Sequence, residues 1–223
     1  MHLSLSAATG HSRSHSIAAA LSVVGMAILF SGCARSEPPA CSACIPQEKN
    51  TMQPDPATPP VVVIETSHGE FELTLWDDKA PVTVSNFLAY VDSGFFDELI
   101  FHRVIKGFMI QGGGFDATMS KKETRAPIRN EASKEALNRR GTVAMARTSD
   151  VNSATAQFFV NLADNAFLDH RDTTPRGYGY CAFGEVTAGM DVVDAIAALP
   201  TGRQGMHADV PKETILIKAA RRK

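Results

Sequence analysis

An all-β-dominated fold, either a sandwich or a closed barrel, is what this sequence predicts. Three observations carry the prediction. About eight short apolar or alternating segments are set apart by turn signals at spacings of roughly 8–12 residues. Few of these segments are joined by helical stretches, which argues against a parallel α/β sheet. Two amphipathic helical stretches stand far apart in the chain with most of the strands between them, so they could plug the two ends of a barrel, and closure would also remove exposed sheet edges.

The elements follow in order. Residues 61–66 are β-branched and apolar, and Ser67, His68 and Gly69 form a turn signal. Residues 70–76 alternate, with Phe71, Leu73 and Leu75 on one face, so the two segments make a hairpin. Pro81 suits the first turn of a helix, Val84, Phe87, Leu88 and Val91 give that helix its apolar stripe, and Gly94 ends it. Strands are expected over 99–104 and 108–111. Residues 115–140 are polar and read as a long connection. Short strands are expected over 142–146, 157–161 and 181–185. A second helix is expected over 190–199, with Val193, Ile196 and Ala197 facing inward, and a closing strand over 214–217.

At 223 residues the chain holds one domain, or one domain with tails. A hydrophobic share of 44% and a charged share of 21% are ordinary for a globular protein. The formal net charge is −2 and the basic residues are scattered, so there is no nucleic-acid footprint. The pairs Lys121-Lys122 and Arg139-Arg140 read as solvated surface. Residues 1–32 read as a signal peptide. Arg13 is its only formal side-chain charge, and the apolar run from Ile17 to Phe30 is too short to span a membrane comfortably. The run ends in Phe30-Ser31-Gly32-Cys33, which resembles a bacterial lipobox, with cleavage before Cys33 and a lipid on its thiol. Ala34 then favours an outer-membrane anchor facing the periplasm in a two-membrane bacterium; an ordinary cleaved signal would leave the protein soluble there. Residues 33–60 are rich in proline and read as a flexible tether. Cys41 and Cys44 form a C-x-x-C among prolines, with no further zinc ligands nearby, and read as a local disulfide or idle thiols. Cys181 sits in an apolar stretch and reads as a buried core thiol. The folded domain is expected over 61–223.

The chemistry-bearing residues cluster in two stretches, 101–114 and 157–159. Residues two apart in a strand share a face, so Arg103 is expected beside Phe101 and Met109 beside Gln111. Side by side, such strands set a cation at the rim of an apolar dish. That arrangement offers no nucleophile and no base, so it suits holding a proline ring and touching the neighbouring amide better than it suits hydrolysis. His102 is expected on the face opposite Arg103, packed and hydrogen-bonded. Asp169-His170 lacks a partner serine or cysteine and reads as loop. Gly112-Gly113-Gly114 lacks the helix and Lys-Ser/Thr of a phosphate loop and reads as a turn.

At these residues the chain resembles the cyclophilins, a family of peptidyl-prolyl cis–trans isomerases. The stretch Phe101-His102-Arg103-Val104-Ile105 with Gly107-Phe108-Met109-Ile110-Gln111-Gly112-Gly113 is similar to the family's signature segment. Residues 141–147 and 153–159 resemble its second block in the bacterial form, residues 183–186 and 189–193 its third, and 201–203 and 209–211 continue the bacterial pattern. The resemblance covers 61–219 and implies a closed eight-stranded antiparallel barrel capped by two helices, with the peptide on its outer face. It implies that Arg103 is the catalytic arginine. It implies that Phe108, Met109, Phe159 and Leu168 wall a proline pocket, with Phe167 and Tyr180 at its edge. Gln111, Gln157 and the backbone at Ala146 and Arg147 would hold the substrate chain. Phe167 stands where tryptophan is usual in eukaryotic members, and Tyr180 where histidine is usual. The implied activity is isomerisation of X–Pro bonds in exported clients. The competing reading is a proline-binding module or holdase with little turnover. No metal, cofactor or obligate oligomer is implied.

Overall fold

The structure, a computed structural model, describes residues 58–223. Cys33, Cys41 and Cys44, the leader and nearly all of the expected tether lie outside the described residues.

Strands β1 (Val61–Thr66) and β2 (Gly69–Leu75) form the expected hairpin, in register from Val61↔Thr74 to Thr66↔Gly69. Val62, Ile64, Phe71, Leu73 and Leu75 are fully buried, so the alternation read from the sequence faces the core. Helix α1 (Pro81–Asp92) begins with its proline and buries Val84, Phe87, Leu88 and Val91, together with Thr83 and Tyr90. Its first N–H groups have no partner within the helix. The Glu131 carboxylate accepts the backbone N–H of Val82 at 3.3 Å and of Thr83 at 2.8 Å, which also places negative charge at the positive end of the helix dipole.

Strands β3 (Leu99–Ile105), β4 (Met109–Asp116), β5 (Thr142–Met145), β6 (Phe158–Asn161) and β7 (Ala182–Ala188) follow, then helix α2 (Met190–Ala198). Strands β8 (Thr201–Gln204), β9 (His207–Pro211) and β10 (Leu216–Arg222) complete the fold. A closed antiparallel barrel runs β1-β10-β3-β4-β6-β5-β7-β2, and β8 and β9 form a separate hairpin. The core gathers Phe71, Phe87, Phe96, Phe101, Phe158 and Phe183, and both helices lay their apolar stripes on it. Cys181 is buried as expected, and desolvation pushes its thiol up to about 11.

Three expectations are corrected. Gly112–Gly114 are not a turn but the middle of β4. A Cβ on Gly112 would come within 2.9 Å of the Phe101 ring, and one on Gly114 would run into the Gln157 side chain, so glycine leaves room for both neighbours. The closing strand β10 lies later than 214–217, because its second half is charged and puts only Ala220 into the core cluster, leaving no strong apolar signal. The β8–β9 hairpin carries no alternation at all and is largely exposed, so periodicity could not reveal it.

Candidate active site

Cross-strand register builds the site. Arg103 on β3 faces Gln111 on β4, Gln111 faces Phe159 on β6, and Phe159 faces Ala144 on β5. Directly opposed residues in a sheet share a face. Arg103, Gln111 and Phe159 therefore form one row on the outside of the barrel, while Ile110, Phe158 and Val160 point to the core.

Sequence periodicity placed Arg103 on the face of Phe101, and the structure overturns this. Phe101 pairs with Gly112 and Arg103 with Gln111, so β3 holds one extra residue at His102. This β-bulge shifts the side-chain parity. Phe101 stays in the core at 1% exposure, with its ring 6.0 Å from Phe158. Arg103 emerges with its side chain 43% exposed. Strict alternation would have buried the guanidinium or exposed the phenyl ring.

The two neighbours at the bulge differ in burial: His102 is 5% exposed, whereas the Arg103 side chain is 43% exposed. His102 is packed as expected, with its ring tilted against Phe115 at 4.7 Å between centroids, and its Nδ1 has no hydrogen-bond partner among the described residues. Desolvation first, then the nearby charges of His207 and Arg103, lower its pKa from 6.5 to about 4. The unfolded chain thus binds more protons between these values. Stability is full above pH 6.5 and is lost as pH falls through about 4, by up to about 3 kcal/mol for this group. Urea unfolding at a series of pH values across that window should show the loss, and His102→Gln should flatten it. An unchanged slope in the variant would rule out His102 as the source.

The row opens onto a cavity of about 180 Å³, far above the roughly 10–15 Å³ that admits one water. Phe108, Met109, Phe159 and Leu168 supply its apolar walls, Arg103 and Gln111 one polar edge, and Ala146, Arg147 and Tyr180 the other. Two expected contact residues stand apart from this lining. Gln157 sits behind Gln111 and accepts its side-chain N–H at 2.9 Å, fixing the orientation of that amide. Phe167 is 61% exposed and stacks on Phe108 at 5.6 Å, forming an outer lip. The Ala146 N–H donates to the Gln157 carbonyl at 2.9 Å, so that donor is already committed.

The far wall is held by buried amides that sequence reasoning missed. Asn165 donates to the Phe108 carbonyl at 3.0 Å and to Asn161 Oδ1 at 2.7 Å. Asn161 donates to Asn138 Oδ1 at 3.3 Å, and Asn138 to the carbonyls of Leu168 at 3.3 Å and Tyr180 at 3.1 Å. Buried amides persist when their bonds are satisfied, and such a network rigidifies what it joins. It joins three pocket residues from three separate segments, and scattered asparagines in a sequence do not announce that. The Asp169 carboxylate accepts the Asn138 N–H at 2.7 Å, and His170 Nδ1 lies 2.8 Å from the Tyr178 carbonyl, so this pair is structural as expected. Asp209 is also new to the site. Its carboxylate lies 3.8 Å from Arg103 Nε.

Comparison with known proteins agrees with this architecture. The family described as cyclophilin type peptidyl-prolyl cis-trans isomerase/CLD matches residues 61–222. The chain is 55% identical over 159 residues to peptidyl-prolyl cis-trans isomerase B of Escherichia coli K12, covering 71% of this chain and 97% of that protein. It is 56% identical over 160 residues to isomerase cyp18 of Streptomyces antibioticus, covering 72% and 96% respectively. A crystal structure of a cyclophilin type isomerase from Cryptosporidium parvum superposes with a TM-score of 0.64 at 27% identity, covering 74% of this chain and 97% of that one. The same parasite enzyme has been solved in the presence of the dipeptide Ala-Pro, with a TM-score of 0.62 to this chain. The barrel topology, the matched length and the level of identity lead to one conclusion: this chain belongs to the cyclophilin-type peptidyl-prolyl cis–trans isomerases.

Proposed function

We propose that the cavity grips the proline of an unfolded or folding client and that Arg103 eases rotation of the amide before it. The carrying observation is the row of Arg103, Gln111 and Phe159 across three strands at the mouth of a cavity walled by Phe108, Met109 and Leu168. Rotation about a peptide bond costs about 18–20 kcal/mol, and X–Pro exchange takes on the order of tens to hundreds of seconds unaided. An acceleration of about 10⁵-fold needs about 7 kcal/mol at about 1.36 per decade. In the twisted amide the nitrogen lone pair is no longer delocalised. A donor aimed at nitrogen then binds the twisted state better than the planar one, and that difference is catalysis. The permanent charge and rigid fork of arginine suit this role. The apolar walls fix the ring and exclude water, which favours the less charge-separated twisted amide. Gln111, steadied by Gln157, and the Ala146 carbonyl and Arg147 backbone hold the flanking chain. A coupled isomerisation assay comparing the protein with Arg103→Ala tests the proposal; equal rates would instead make the protein a proline-binding holdase.

Phe167 offers no indole N–H at the lip, so one hydrogen bond to cyclosporin is missing. Inhibition of the purified protein by that drug should be weak, and a nanomolar inhibition constant would contradict this.

The proposed setting is the cell envelope, with clients that are exported proteins. The lipobox-like Phe30-Ser31-Gly32-Cys33 and the proline-rich segment 33–60 support a monomeric domain tethered by a lipid on Cys33, facing the periplasm from the outer membrane. Mass spectrometry of the mature N-terminus should find a chain starting at Cys33 and carrying acyl mass. An unmodified start elsewhere would point to an ordinary cleaved signal and a soluble periplasmic protein.

A further inference from the structure

Beside the proline pocket lies a larger open cleft of about 760 Å³. It shares Arg147, Leu168 and Tyr180 with the pocket, so the two are continuous. Phe167 and the loop carrying Arg171 and Arg176 line it as well. Three guanidinium groups thus line one concavity in a chain whose formal net charge is −2.

Among the described residues, no carboxylate lies within ion-pairing distance of Arg147, Arg171 or Arg176. The acids nearby are occupied elsewhere. Asp172 turns back on its own loop to accept the N–H and hydroxyl of Thr174; those bonds hold its carboxyl below the usual range, with smaller help from Arg171 and His170. Asp169 accepts from Asn138, and Asp150 from the Asn152 N–H. Arg147 is fixed in place. It donates to the carbonyls of Gly179 at 3.0 Å, Thr148 at 2.9 Å and Pro175 at 3.0 Å, and lies over the Tyr180 ring at 4.8 Å. Those bonds use three of its five N–H groups and tie the arginine-bearing loop to the pocket wall. Solvated arginines on a convex surface need no explanation. Three of them in a hollow that opens from a peptide site, one already ordered, make a receptor for negative charge.

We infer that this cleft is a subsite for an acidic side chain of the client, a Glu or Asp within about one to three residues of the bound proline, since an extended chain advances roughly 3.3–3.6 Å per residue. The inference rests on the proline-binding reading of the adjoining pocket. The test uses the purified full chain in a coupled isomerisation assay. Peptides share one X–Pro core and carry Glu, Gln or Lys at each flanking position in turn. At one position Glu should exceed Gln in kcat/KM by about 3- to 10-fold, as expected for one or two exposed ion pairs, and Lys should fall below Gln. Raising salt from about 0.1 M to about 1 M shortens the screening length from about 10 Å to about 3 Å and should remove most of the preference. In the Arg171→Gln/Arg176→Gln double variant the Glu-to-Gln ratio should fall towards one. The inference is overturned if Glu and Gln are equal at every position in the parent protein, or if the ratio survives in the double variant. The rate with the uncharged Gln peptides, and its loss in Arg103→Ala, reports separately on the proline site itself.

Discussion

Arg103→Ala should lower kcat/KM for an X–Pro peptide by about 10²- to 10³-fold, the range seen when one preorganised donor is removed from an active site. The fold should barely notice. The side chain is 43% exposed, and its ion-pair distance to Asp209 is 3.8 Å. Half-exposed pairs of this kind contribute about 0–1 kcal/mol. The barrel core contains no atom of the guanidinium, so thermal unfolding of the variant should track the parent. Arg103→Lys keeps the charge and discards the planar fork, so it should recover only part of the loss. Isomerisation rates and melting temperatures of the three proteins check this together. A variant as fast as the parent would remove Arg103 from the chemistry, and a variant that melts much earlier would make the arginine a structural residue.

The second large effect divides two neighbours. Phe158 is fully buried, with ring centroids 5.5 Å from Phe87, 5.5 Å from Phe96 and 6.0 Å from Phe101, all near-perpendicular. Phe158→Ala should cost about 3–5 kcal/mol, through lost burial and the cavity left in a packed core. That is a large part of the roughly 5–15 kcal/mol that holds a domain together. Phe159 lies on the opposite face, with its ring 5.8 Å from Tyr180 at the wall of the site. It already borders open space, so Phe159→Ala should destabilise less and act mainly on turnover, lowering kcat/KM by about 10- to 100-fold as one apolar wall of the ring site disappears. Urea midpoints and isomerisation rates on both variants provide the check. The reverse pattern would mean that β6 is out by one residue, because a one-residue slip exchanges the two faces.

How far the sequence could be read shows in particular residues. The hairpin at 61–75 was legible because Val62, Ile64, Phe71, Leu73 and Leu75 alternate without interruption. The helix at Pro81 was legible because a proline start and a stripe at helical spacing coincide. Residues 101–114 and 157–159 carried the site through their resemblance to the cyclophilins, and the register brings Arg103, Gln111 and Phe159 side by side. The face of Arg103 was not legible because one bulged residue breaks the period-two alternation of β3. The β8–β9 hairpin escaped because exposed polar strands bury nothing periodic.

The chain alone determined the all-β class and the helix starts, which follow from apolar spacing over about a dozen residues, while the closed barrel and the candidate site cluster came from an ordered run of side chains that resembles the cyclophilins. Only the tertiary structure decided the parity of β3, the close approach at Gly112 and Gly114, and the links from Glu131 to α1, Asp209 to Arg103 and Asn138 to Asn161 and Asn165. Most of these join polar groups or backbone far apart in sequence. Their geometry is set by which strand lies opposite, and a one-dimensional pattern of hydrophobicity carries no record of that.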